Sequence, residues 1–127
     1  YMVYVFMAAG YGLIGLVLMA GDGSVSPGIH LLTAGALGLA VYTVICIAGY
    51  THSGLEKNGR PWVVVGACLL VASAVLRALA YWFDPPVLLQ LAGLAWCAAF
   101  VMQGWQMLPV FLRPRQDGLW GCQGVQD

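Results

Sequence analysis

Arg77, His30 and His52 are the side chains of this sequence whose chemistry is at odds with their surroundings, because each stands inside or at the end of a long apolar run. A charged side chain deep in lipid is unfavourable by about 2.5–3.5 kcal/mol on insertion scales unless it is paired or reaches the interface. Arg77 lies about six residues inside the end of its run at Phe83, or ~9 Å by helical rise. Gln90 and Asp84 are the groups of matching depth. Two readings follow for Arg77. It snorkels outward to Asp84 or a lipid phosphate, or it faces inward and holds an anionic group such as a propionate or a partner's carboxylate.

His30 opens the second apolar run at nearly the depth of Arg77, and His52 closes it. About 22 positions separate them, ~33 Å along a helix, so they cannot ligate one metal or one haem together. Taken alone, His30 reads as an interfacial histidine and His52 as a solvated loop residue. No Ser/His/Asp set, paired carboxylate or phosphate-cradling loop is present. Cys46, Cys68 and Cys97 fall within apolar runs and Cys122 stands alone in the tail, which gives neither a disulfide framework nor a zinc spacing. The five methionines are scattered, against a copper-binding thioether cluster. Gln103 and Gln106 read as markers of the last run's exit.

The elements that carry these residues follow from composition. Of 127 residues, 61% are hydrophobic and 8% charged, whereas a soluble domain carries about 25% charged residues. Ten charged side chains cannot coat a globule of this size, so the expected solvent is a lipid bilayer. A formal charge of zero excludes a phosphate-neutralising patch and with it nucleic-acid binding. The opening run has no basic residue before it and no small-residue cleavage site after it, so a signal peptide is not expected.

Turn formers and charges divide the chain into four runs, at about residues 1–20, 29–50, 61–83 and 87–108, followed by a tail over 109–127. Each is long enough to cross a hydrocarbon core of ~30 Å as an α-helix. None alternates with period two, and backbone in lipid must satisfy its own hydrogen bonds. The expected fold is therefore all-α, an integral membrane domain of four transmembrane helices in an antiparallel up-down bundle. Lys57, Arg60, Arg113 and Arg115 fall on one side, and the opposite connections hold Asp22 and Asp84 with no basic residue. The positive-inside rule then places both termini in the cytoplasm. Tyr81, Trp82 and Phe83 mark one interface, and Trp62 and Trp105 the other. Small residues at Gly12, Gly15, Ala34, Gly38, Ala95 and Ala99 are candidates for close helix packing.

The order of these motifs resembles the C-terminal part of the NnrS family. His30-Leu31-Leu32-Thr33-Ala34-Gly35-Ala36-Leu37-Gly38 is similar to the family's HALTxGAIG, and Thr51-His52-Ser53-Gly54 with Gly59-Arg60-Pro61 to its GHTGR turn. Arg113-Pro114-Arg115-Gln116-Asp117-Gly118 resembles its closing PRxDG, and Gly10-Tyr11-Gly12-Leu13 its preceding helix. Here the histidine turn is interrupted by Leu55-Glu56-Lys57-Asn58, and Cys46-Ile47-Ala48-Gly49 replaces the family's usual basic residue. The resemblance implies a multi-span bacterial inner-membrane protein, from a family containing haem and copper and associated with nitric oxide metabolism. It implies that His30 and His52 stand at the family's histidine positions, as candidate ligands of haem b or copper shared with another chain or segment. Arg77 matches its late arginine. The reading this supports is a small, non-catalytic subunit packed in a respiratory or nitric-oxide-related redox complex. The alternatives are part of a haem- or copper-binding protein and, more remotely, a transporter fragment.

Overall fold

A computed structural model describes residues 1–55, 59–83, 86–115 and 118. The described residues form helices α1 (Met2–Ala20), α2 (Ser26–His30), α3 (Gly38–His52), α4 (Pro61–Phe83) and α5 (Pro86–Leu112), with a π-helical segment over Leu31–Leu37 joining α2 to α3. Because α2, the π segment and α3 are continuous, the described residues form four helices long and apolar enough to cross a membrane, the second being Ser26–His52. The chain is a multi-pass, all-helical membrane protein, as its composition requires.

The turns are set by residues that cannot continue a helix. Gly21 takes φ 69° and its N–H closes α1 on the Val17 carbonyl at 3.0 Å, a conformation that favours glycine. Ser24 Oγ then accepts a hydrogen bond from the Ser26 N–H at 3.2 Å, and Pro27 in the first turn fits where no amide partner is needed. At the other end of the second span, Gly54 has φ 68°. Leu55 N–H bonds back to the Tyr50 carbonyl at 3.0 Å and Gly54 N–H to that of Thr51 at 3.3 Å. This Schellman arrangement satisfies carbonyls that lipid could not.

Within the spans, polar side chains bond to backbone. Thr33, Thr43 and Thr51 each donate to the carbonyl four residues earlier, at 2.8, 2.7 and 2.8 Å, which keeps a hydroxyl satisfied without a tertiary partner. Two buried polar residues do cross between helices. Ser73 Oγ donates to the Ala92 carbonyl at 2.8 Å, tying α4 to α5. Gln103 Nε2 donates to the Tyr42 carbonyl at 2.8 Å and lies 3.3 Å from Cys46 Sγ, tying α5 to α3. Gln103 therefore does not mark the exit of the fourth span, as its sequence position suggested. Helix α5 runs through Pro109 to Leu112, so Gln103 lies deeper in the helix than a stop before Pro109 would place it. A proline inside a membrane helix is tolerated where neighbours re-satisfy the freed backbone.

The second span is the centre of the bundle, packing mainly on α1 along its first half, on α5 along its second half and on α4 throughout. Close approach depends on glycines other than those singled out by spacing. A Cβ on Gly10 would come within 2.9 Å of the Gly28 carbonyl, and one on Gly28 within 2.7 Å of the Gly10 carbonyl. Gly12 and Gly15 meet nothing within 4 Å. At 100° per residue they point away from the face that Gly10 presents to α2. Gly35 gives room to the Phe6 ring. Gly66 gives room to Tyr42, whose Oη donates to the Trp62 carbonyl at 3.3 Å. Of the other small residues expected to pack, Ala99 is fully buried, Ala34 and Ala95 are half-buried, and a Cβ on Gly38 would stand 3.7 Å from the Trp96 indole nitrogen, an ordinary contact.

Candidate functional site

His30 and Arg77 meet in one cleft. It has a volume of about 270 Å³, and three elements wall it, each with residues four apart: His30 and Ala34, Ser73 and Arg77, and Ala92 and Trp96 with Gly93 and Cys97. Four residues is about one helical turn, so each element presents one face to the same space.

The π segment forms part of this wall. Its i→i+5 pattern is seen where the Gly38 N–H reaches back to the Thr33 carbonyl. A π turn widens the helix and shifts the face presented before it relative to the face presented after it. Here it separates His30, which looks into the cleft, from Tyr42 and Cys46, which are buried in the core. The residues that allow it are small. Gly35 lies against the Phe6 ring and the Ala74 methyl, at 2.8 and 3.2 Å from where its Cβ would stand.

The hydrogen-bonding capacity of the cleft is unevenly used. Ser73 is 2% exposed and spends its hydroxyl on the Ala92 carbonyl. Arg77 is half-buried and, among the described residues, no carboxylate pairs with it. No side-chain nitrogen or oxygen among the described residues is sealed off without a partner, and Arg77 is one of the residues that line the cleft. Trp96 stacks at a tilt on Phe100, with ring centroids 4.5 Å apart. The result is a cationic end on an otherwise apolar slot, which suits the anionic head of a molecule or side chain with an apolar body.

The other residues expected at this site lie elsewhere. Gln90 is exposed and does not line the cleft; its place on α5 is taken by Ala92, Gly93, Trp96 and Cys97. Asp84 lies outside the described residues. His52 is exposed in the last turn of α3, at the far end of the second span. Among the described residues, no three His, Cys, Asp or Glu side chains gather as a metal site. Sequence reading missed Ser73, Trp96 and Cys97. The available signal was the four-residue spacing of Ser73 from Arg77, since a serine one turn from a half-buried arginine shares its face.

The family model described as NnrS protein matches residues 1–115. No curated protein and no solved structure matches the chain.

Proposed function

The chain belongs to the NnrS family, and on that premise we propose that it is a non-catalytic membrane subunit of a redox complex, held to its partner through the His30–Arg77 cleft. The complex is of the bacterial respiratory or nitric-oxide-related kind, in the inner membrane with both termini cytoplasmic. The observation that carries this reading is Arg77, a half-buried arginine that lines an apolar cleft to which the described residues bring no carboxylate. An intramembrane cation of this kind is kept where an anion meets it. A carboxylate of the partner, a haem propionate included, has the required charge and planar geometry.

The described residues do not make a haem or copper site by themselves. His30 is the one histidine at this depth, and His52 stands at the opposite end of the span. The cleft of about 270 Å³ is smaller than the ~300–1,000 Å³ of usual ligand pockets. Any haem or copper near His30 would therefore be shared with another chain or segment, and no catalytic step is assigned to this one.

The test is native electrophoresis of the chain solubilised from its own membranes in a mild detergent, with optical spectra of each band. The subunit reading predicts migration with a haem-bearing complex, release by Arg77→Leu and retention by Arg77→Lys. A chain that ran alone and colourless would overturn it. So would an isolated chain with a Soret band lost in His30→Ala, which would make this chain itself the haem protein.

A further inference from the structure

The opposite end of the bundle holds a second cationic site, which neither the subunit reading nor the His30–Arg77 cleft uses. Arg60 immediately precedes α4, where Pro61 starts the helix, and its guanidinium carbon stands 4.4 Å over the Tyr50 ring. A cation over an aromatic face is held there by the ring quadrupole, so Arg60 is positioned rather than trailing in solvent. Arg113 follows the end of α5. Both arginines line one cavity of about 270 Å³, together with Ser53, Gln106 and apolar residues such as Leu55 and Val110, and no carboxylate of the described residues lines it.

Arg60 is shared with a second space of opposite character. A groove of about 220 Å³ runs from Arg60 and Tyr50 along the α3–α4 seam to Cys46, walled by Ile47, Val63 and Val64. Val64 is 63% exposed and Ile47 50%, so the groove is bordered by side chains that face lipid. The polar cavity lies at the ends of the spans, and the apolar groove leads from it into their length. Two arginines with Ser53 and Gln106, sharing Arg60 with an apolar groove, match a phosphodiester with an attached hydrocarbon chain.

We propose that this end of the bundle binds an anionic glycerophospholipid, its phosphate between Arg60 and Arg113 and one acyl chain in the groove beside Cys46. A protein carboxylate would use the arginines but leave the groove without an occupant. A free phosphate would do the same. The lipid explains both spaces with one molecule. It also explains why Arg60 is fixed over Tyr50: the ring sets the guanidinium where headgroup and chain diverge.

Native mass spectrometry of the full chain in a zwitterionic detergent tests this, with phosphatidylglycerol and phosphatidylcholine of identical chains and, separately, inorganic phosphate. Phosphatidylglycerol should be retained at least about ten-fold over phosphatidylcholine, and Arg60→Gln and Arg113→Gln should each lower that preference about five-fold. Arg113 is exposed, so its replacement leaves the fold intact and keeps the test valid if Arg60→Gln does not fold. Val64→Trp, which fills the groove from a lipid-facing position, should weaken phosphatidylglycerol binding without altering the charge preference. Equal retention of the two lipids would overturn the proposal. Displacement of phosphatidylglycerol by millimolar inorganic phosphate would also overturn it, by showing that the acyl chain contributes nothing and the site takes a free anion.

Discussion

Helices α1 and α5 are both apolar on every side and both pack on the second span, yet different forces hold them. The α1 contact is made by close approach alone, with Gly10 and Gly28 bringing backbone against backbone and Phe6 set into the notch at Gly35. Among the described residues, no side-chain hydrogen bond joins α1 to another element. Helix α5 is tied by Ser73 to α4 and by Gln103 to α3, in addition to Met107 and Phe111 packing at Gly49. In lipid the hydrophobic effect does not drive helices together, so packing and polar ties must do so. The difference predicts a detachable first helix and a stiffer half formed by α3, α4 and α5. The two arginine sites both border this stiffer half.

The largest expected effect is on the α1 side. Gly28→Leu places a side chain where the Gly10 carbonyl and Ile14 already stand, and backbone cannot yield as a side-chain tip can. A loss of about 3 kcal/mol or more is expected from such overpacking. Its signature is release of α1 to proteolysis in detergent while the buried Cys46 thiol stays protected from maleimide. If Cys46 is exposed together with α1, the two halves are one cooperative unit and the comparison fails.

Gly66→Val tests the other half and should be nearly as severe. Its added atoms overlap the Tyr42 ring, for which about 1–3 kcal/mol is expected. Thermal labelling should show Cys46 opening at lower temperature with α1 still docked. Smaller again is Gln103→Leu, which removes the tie between α5 and α3 at ~1–2 kcal/mol. Ser73→Ala should be the mildest, at about 0.6 kcal/mol, because Ala92 keeps its helical partner. A Ser73→Ala effect exceeding that of Gln103→Leu would show that the α4–α5 seam, rather than α5 on α3, holds this half.

Much of this was legible in the residues. Four apolar runs, their turn formers and the sided arginines gave the spans, because lipid leaves backbone no alternative to helix. The matching depths of His30 and Arg77 followed from counting along those runs. Three features did not follow. The π segment over Leu31–Leu37 has no composition of its own, since Leu, Thr, Ala and Gly are common in any membrane helix; it depends on what Gly35 packs against. The depth of Gln103 depends on α5 continuing through Pro109, which local rules read as a stop, and its inward face depends on how α5 crosses α3. Gly12 and Gly15 had the right type but the wrong face, and only the helix crossing shows that Gly10 and Gly28 are the contact.

The central claim is spatial: within the membrane, His30 of the second span and the Cys97 face of α5 border one cleft with Arg77. A short bismaleimide applied to membranes carrying His30→Cys, with native Cys97 kept and Cys68 and Cys122 replaced by alanine, tests it directly. The account predicts an intramolecular cross-link between positions 30 and 97, and none when His52→Cys replaces His30→Cys. No link from position 30, or an equally strong one from position 52, would contradict it.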